Sequence, residues 1–250
     1  MKMAQILKKS KDEKRWEGYA SGFMQLYNPK SGFLQARKNG QWLPNFDPYQ
    51  VNNHHTEANA WQYSLPQHAE AMNWGNSKET FLLDSIFVAK MNTSGRTQAD
   101  ITGLIGQYAH GNEPSHHMAY LYNYVNEPWK TQVRVRQIME EQYQNAPDGL
   151  SGNEDCGQMS SWYVLSALGI YAVTPGLEYY TIGSPRLEKA QLNLENGAQF
   201  TILAKGASNK NKYIQSAKLN GLPFNRSYLK HQEIMQGGTL AFVMGDLPNT

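Results

Sequence analysis

Gly152-Asn153-Glu154-Asp155-Cys156-Gly157-Gln158-Met159-Ser160-Ser161-Trp162 sets a polar, acidic segment between glycines and runs it straight into an apolar stretch, Met159 to Tyr171. The pattern is that of an acidic loop feeding a buried helix over about 157–170. Polar groups at such a helix start are held by what the loop enters, which suits chemistry. A plainer reading is equally open at this point: Asn153 or Asp155 simply caps the helix.

Upstream of this stretch the chain reads as helical. Ser10 with Glu13 forms a capping box, and Trp16, Tyr19, Ala20, Phe23 and Tyr27 recur at helical spacing as one core-facing set over 11–27. Asn28-Pro29-Lys30-Ser31-Gly32 ends that helix. A long loop follows, carrying Trp42 and Phe46, and such a loop inside a compact protein is usually functional when it is not disordered. Residues 55–64 enter a helix that Thr56 or Asn53 could cap, with Glu57 just inside it. A further helix spans 77–91, and a polar loop runs from Asn92 to Asp100. A Gly-rich segment from Ile101 to Gly111 then leads to Pro114, well placed in the first turn of a helix reaching Val125. Asn126-Glu127-Pro128 closes that helix and starts the next, over 129–144. Residues 1–170 therefore give about six helices without alternating strands, which points to helix-on-helix packing.

Downstream the character changes. Tyr179 to Ile182, Ala190 to Leu194, Gln199 to Ala204, Tyr213 to Leu219 and Thr239 to Met244 are short β-type runs separated by Gly, Asn and Pro. Asn196-Gly197 and Asn220-Gly221 are turn dipeptides, and one helical turn fits near His231. The expectation is an α+β chain: a helical part, 1–170, bearing the motifs, and a β-rich, mostly antiparallel segment, 171–250.

The 250 residues suffice for a sizeable core. A formal net charge of +2 and 18% charged residues do not suggest nucleic acid or an anionic membrane as the partner. Six Trp and 15 Tyr suit sugar rings as well as a protein core. A single Cys excludes an internal disulfide framework and a Cys-rich zinc site. No apolar run is long enough to span a membrane, and Met1-Lys2-Met3 opens onto a helical pattern without a signal-peptide core. Were the protein exported, its signal would lie upstream of residue 1.

The chemistry-bearing residues sit at helix starts. Glu57 stands beside Trp61 and after His54-His55; Glu113 precedes Pro114. Each position also suits a Glu that merely answers the helix dipole. His116 and His117 are adjacent, so on a helix they diverge and do not easily share one metal. The zinc-protease helix pattern, a P-loop, a Rossmann glycine fingerprint, a nucleophile elbow and EF-hand spacing are all absent from the sequence. What remains is carboxylates set among Trp, Tyr, His, Asn and Gln. Two carboxylates, one protonated and one ionised, are the minimum for glycosidic hydrolysis.

Three strings carry a resemblance: Thr56-Glu57-Ala58-Asn59-Ala60-Trp61-Gln62-Tyr63, the run Gly103 to His117 (GLIGQYAHGNEPSHH), and Gly152 to Trp162. Phe33 to Pro48 and the tail from Tyr213 to Gly245 join them. In this order the chain resembles family 92 glycoside hydrolases, the calcium-dependent exo-acting α-mannosidases. The resemblance implies an inverting enzyme that releases mannose from glycans. Glu57 would be its general acid and Asp155 its general base. Asn153 stands at the position of a second acidic helper. The resemblance also implies sugar contacts from Trp61, Glu113, His116, His117 and Gln158, and Ca²⁺ held near Glu113, Asn112 and Asn153.

The physics of inversion asks for a raised pKa on Glu57 and for carboxyls about 6.5–9.5 Å apart. The fold implied is the C-terminal part of an (α/α)6 toroid followed by an antiparallel β-sandwich-like tail. The remainder of the catalytic domain is expected upstream of residue 1, and the full-length protein in the periplasm or outside the cell. A rival expectation is a non-catalytic glycan-binding fragment. A purely structural helical domain would require all three string matches to be coincidence.

Overall fold

The computed structural model describes residues 2–20, 22–55, 57–68 and 77–250. Thr56, one of the two expected helix caps, lies outside them. The chain forms two compact units, Met1–Asn73 with Met91–Gln98, and Trp74–Lys90 with Ala99–Thr250.

In the first unit, helices α1 (Lys2–Ile6) and α2 (Ser10–Ala20) precede a 3-10 turn, Gly22–Leu26. The expected core-facing aromatic stripe of α2 is not buried: Trp16 is 48% and Tyr19 65% exposed, and the two rings lean on each other with Arg15 alongside. Helical spacing set them on one face, but no described element covers that face. Gly18 stands inside α2 with open space where a Cβ would go. Gly18→Ala is therefore expected to raise stability by about 0.5–1 kcal/mol, measurable by thermal unfolding.

The long loop is pinned by two-residue strands. β1 (Tyr27–Asn28) pairs with β2 (Phe33–Leu34), and β3 (Arg37–Lys38) with β4 (Gln41–Trp42), both antiparallel; β5 (Gln50–Val51) lies parallel to β6 (Ser94–Gly95). These ladders are too short to show as periodicity. Helix α3 (Ala60–His68) joins this framework where the buried Ser64 hydroxyl accepts the Leu34 N–H at 3.0 Å.

In the second unit, α4 (Ser77–Val88) is followed by a tight hairpin of β7 (Leu104–Ile105) and β8 (Tyr108–Ala109). The expected helix up to Val125 is two 3-10 segments, Glu113–Ser115 and Met118–Val125, ended by Asn126 in the left-handed region. Apolar spacing does not separate a 3-10 from an α turn over so short a run. Helices α5 (Pro128–Glu141) and α6 (Gln158–Leu168) follow. Strand β9 (Ile170–Tyr171) starts the β-rich part. A three-stranded sheet runs in the order β15 (Tyr228–Lys230), β10 (Tyr179–Ile182), β9. A five-stranded sheet runs β11 (Lys189–Asn193), β12 (Gln199–Lys205), β16 (Gly238–Gly245), β13 (Tyr213–Leu219), β14 (Leu222–Pro223). Helix α7 (His231–Met235) is the expected turn near His231.

The strands alternate as read: Phe200, Ile202 and Ala204 of β12 face inward between more exposed neighbours. Asn220 and Gly221 both take positive φ, 51° and 83°, and close the β13–β14 hairpin with Leu219 opposite Leu222. Pairing is antiparallel everywhere in the two sheets except β12–β16, which is parallel. The long excursion through β13, β14, β15 and α7 permits it, as a crossover must. Both sheets contribute to one core: Ile170, Ile182 and Leu229 from the first, Phe200, Ile202, Leu240 and Phe242 from the second.

Arg136 ties α5 to this β-rich part. Fully buried, it donates from Nη1 to the Pro185 carbonyl at 3.1 Å and from Nη2 to the Ser208 carbonyl at 2.7 Å. Arg136→Ala is expected to destabilise the chain by about 2–3 kcal/mol in urea unfolding. Arg136→Lys should restore little, because an ammonium cannot reproduce the planar fork.

Candidate active site

The first unit places Glu57 differently from the sequence expectation. Asn59 is the cap of α3: its Oδ1 accepts the Gln62 N–H at 3.2 Å, and Gln62 Oε1 accepts the Asn59 N–H at 3.4 Å. This is a capping box with amides in both roles. Glu57 therefore lies in the turn before the helix, exposed and not needed as a cap. Trp61, in the first turn of α3, meets Phe33 edge-on at 4.8 Å and Tyr49 at 6.0 Å. Its indole N–H is buried and has no hydrogen-bond partner among the described residues.

In the second unit the helix after the acidic loop is capped by a residue other than the two expected. Helix α6 begins after Gly157, and its side-chain cap is Glu154. That carboxylate accepts from the Ser160 N–H at 3.1 Å and from the Ser160 hydroxyl at 2.9 Å. Neither Asn153 nor Asp155 caps the helix, and both are exposed. Asp155 and Cys156 both take positive φ, 46° and 59°, before Gly157 at 89°. Consecutive non-glycine residues in this region are strained, and such strain collects at functional sites.

Glycines bring the second and third motifs together. A Cβ on Gly152 would lie 2.6 Å from the Gly111 Cα, and one on Gly111 would lie 1.9 Å from the Thr102 hydroxyl oxygen. This backbone-on-backbone contact joins the two loops that carry Glu113 and Asp155, and the two carboxyl groups lie close enough to interact. Burial first, then the neighbouring Asp155 carboxyl and the negative charge of Asp100, push the Glu113 carboxyl above its ordinary value. The two groups can share a proton, or lie on one cation.

Beneath them is a buried imidazole–aromatic cluster that fixes the tautomers. Tyr143 donates its hydroxyl to the Met159 carbonyl at 2.9 Å. His110 Nε2 must then donate to the Tyr143 oxygen (2.7 Å), leaving Nδ1 to accept from the Tyr108 hydroxyl at 2.8 Å. His116 Nε2 donates to the His110 carbonyl at 3.0 Å, and its Nδ1 accepts from the Gln158 amide at 3.0 Å. Gln158 also donates to the Tyr171 hydroxyl, and Trp162 donates its indole N–H to the His116 carbonyl. Both imidazoles are neutral: burial holds His110 well below its ordinary value and His116 down at about 4.

His116, expected to meet the sugar directly, is 1% exposed and has both ring nitrogens engaged; it orients Gln158 at the start of α6. His117 is half-buried beside it, and Asn112 is buried. Tyr108, His110 and Tyr143 were not singled out in the sequence. The Tyr108-x-His110 spacing, which puts two polar rings on one side of an extended segment, was the available signal.

A pH effect follows from the two imidazoles. A histidine held neutral in the folded chain binds fewer protons than it does unfolded. Its stabilising effect is present above pH 6.5 and is lost as pH falls toward about 4 for His116. The fall in melting temperature between pH 7 and 4 is expected to be shallower in His116→Gln than in the wild type.

As a metal site, the donor set is of the right kind for a hard cation. Ca²⁺ takes about six to eight oxygens, and Glu113 with Asp155 offers two adjacent carboxyls, with Asn112 and Asn153 flanking them in the same two loops. Among the described residues no group of three or more His, Cys, Asp or Glu is placed to hold a metal. The pair fits as part of a calcium shell, not as a cage of its own.

Known proteins resemble this chain over most of its length. Residues 1–246 match the model of the glycosyl hydrolase family 92 catalytic domain. A family GH92 alpha-mannosidase from Bacteroides thetaiotaomicron, solved with mannoimidazole, superposes with a TM-score of 0.87 at 37% identity, covering 98% of this chain and 34% of that one. The family GH92 inverting mannosidase from the same species gives a TM-score of 0.85 at 37% identity, covering 98% and 35%. An uncharacterized secreted glycosidase from Arthroderma benhamiae is 31% identical over 138 residues, 54% of this chain and 18% of that protein. The chain thus spans about a third of the length of these solved relatives. On the family match and these likenesses, the chain belongs to glycosyl hydrolase family 92.

Proposed function

We propose that this chain carries catalytic groups of an exo-acting, inverting α-mannosidase that releases mannose from glycans with the help of Ca²⁺. The observation that carries the reading is the Glu113–Asp155 carboxyl pair, held by the Gly111–Gly152 contact in a loop whose helix is capped by another residue. A carboxylate freed from capping and set in strained, exposed backbone is available for chemistry. Asp155 is the general base that draws a proton from the attacking water. Glu57 is the general acid that protonates the leaving oxygen. Trp61 and Gln158 contact the sugar, and Glu113 grips it and contributes to the calcium shell with Asn112 and Asn153. When bound, calcium supplies a hard cation for the vicinal hydroxyls of mannose.

In this reading, residues 1–170 belong to the helical part of an (α/α)6 domain and 171–250 to a β-sandwich-like segment packed on it. The core shared by the two sheets supports the β-rich segment, and the Arg136 hydrogen bonds support its packing on α5. The longer reach of the solved relatives supports further catalytic-domain sequence beyond this chain, and the secreted relative supports a place outside the cytoplasm.

The test is mannose release from α-1,2-mannobiose by the full-length polypeptide containing this chain. Activity is expected with Ca²⁺, lost in EDTA and recovered on adding Ca²⁺ back. Turnover indifferent to EDTA would remove calcium from the proposal. Sugar binding without any turnover would leave the non-catalytic glycan-binding reading.

A further inference from the structure

The outer face of the three-stranded sheet carries a cleft that the active-site loops do not use. In β10 and β15 the cross-strand partners are Tyr179 with Lys230 and Thr181 with Tyr228. Leu229, between Tyr228 and Lys230, and Ile182, next to Thr181, point into the core, and Tyr180, between Tyr179 and Thr181, packs against it, so alternation puts these four on the opposite face. The end of the 3-10 segment Met118–Val125 lies over this face. Asn123 Nδ2 donates to the Ile182 carbonyl at 2.7 Å, and the Tyr124 and Thr181 hydroxyls bond at 3.2 Å. Between them is a cavity of about 520 Å³ lined by Tyr124, Tyr179, Thr181, Ser227, Tyr228 and Lys230. That volume lies within the range of about 300–1,000 Å³ typical of small-ligand sites.

The walls are preset. Tyr179 and Tyr228 stand edge to face at 5.7 Å, making two sides of a corner. Arg226 lies over the Tyr228 ring at 5.2 Å and is itself anchored by Glu233. The Tyr228 ring is therefore held in place while 41% of the residue stays exposed. Aromatic faces meet the C–H face of a pyranose; the tyrosine, threonine and serine hydroxyls around them meet its O–H groups. Among the described residues Lys230 is the one charged side chain of the lining, where a polyanion would call for several cations.

We infer that this cleft is a second carbohydrate site, binding a neutral pyranose unit of a glycan apart from the residues proposed for catalysis. Its occupant is a sugar by composition of the walls, so it does not require the mannosidase reading to be correct.

The test is affinity electrophoresis of the full-length protein in gels holding unphosphorylated α-mannan, β-1,3-glucan or xylan, beside hydrolysis of an aryl α-mannoside. Tyr228→Ala and Tyr179→Ala are expected to weaken retardation in at least one polysaccharide about five- to tenfold, roughly the loss of one aromatic anchor. Aryl mannoside turnover should stay unchanged. Tyr228→Phe should keep most of the retardation, which a general loss of folding would not allow. Wild-type mobility unaffected by all three polysaccharides, or retardation equal in wild type and both alanine variants, would overturn the inference. Retardation that depends on Tyr228 in a protein that cleaves no mannoside would uphold it while sinking the catalytic proposal.

Discussion

Asp155→Asn is expected to lower kcat by about 10²–10⁴-fold, the usual weight of a general base, while leaving the chain at least as stable as before. The two halves of this expectation come from the same contact. Asp155 stands close to the Glu113 carboxyl, and its negative charge is one of the causes that raise the Glu113 pKa. A carboxyl whose folded pKa is raised opposes folding once it must ionise. That penalty begins as pH rises through the ordinary value of 4.5 and is complete above the raised one. An asparagine at 155 removes the like charge and offers Glu113 an N–H donor. The melting temperature at neutral pH is therefore expected to hold or rise, and its decline with rising pH to flatten.

Activity lost together with stability would mean that Asp155 supports the loop instead of acting as the base. Glu57→Gln should lose turnover comparably on substrates with poor leaving groups, and much less on aryl mannosides with good ones, because only the former need a proton delivered to the leaving oxygen. Equal losses on both would argue against Glu57 as the acid.

How much of this was legible in the sequence depended on whether the signal was local. The β-rich part was: alternation and the Asn220-Gly221 dipeptide gave Tyr213–Leu219 as a strand and its turn, because both are properties of neighbouring residues. The parallel approach of β16 to β12 was not, since register between distant segments leaves no mark in either one. The three motif strings identified the family, yet two local readings inside them needed coordinates. Glu57 was expected inside a helix, but Asn59 and Gln62 cap each other two residues later. Asn153 and Asp155 looked like caps, while Glu154 does that work from four residues before the first residue of the helix by reaching Ser160. Side-chain direction decides both, and spacing alone does not contain it.

The α2 stripe shows the converse error. Trp16 and Tyr19 have the right period, but period shows that residues share a face, not that another element covers it. The His110–Tyr143–Trp162 cluster was hidden for a different reason. Its members come from β8, α5 and α6 and their flanks, and only the fold makes them one network.

The glycines of the two motif loops are the second place where a large effect is expected, through position alone. Gly152 does not need a left-handed backbone, so Gly152→Ala adds one methyl group and nothing else. That methyl would stand 2.6 Å from the Gly111 Cα and 2.7 Å from its carbonyl oxygen. Both obstacles are backbone, so neither can rotate away. The loops must part, by an amount of the order of 1 Å, and Asp155 must leave its place beside Glu113. Misplacement on that scale can reduce turnover by about 10²-fold without touching a catalytic atom, and overpacking of this kind destabilises by about 1–3 kcal/mol.

Gly111→Ala meets the Thr102 side chain at 1.9 Å, an obstacle that can turn, so it should be the milder of the two in stability. Gly18→Ala, with open space around it, serves as the control that a methyl group in itself is harmless. The decisive readout is the pH profile of kcat/KM. If Gly152 acts by holding the carboxyl pair together, the limb that belongs to the Glu113 carboxyl should shift toward the ordinary carboxylate range in Gly152→Ala. A drop in rate with an unshifted profile would mean that the glycine contact supports the fold but does not tune the pair.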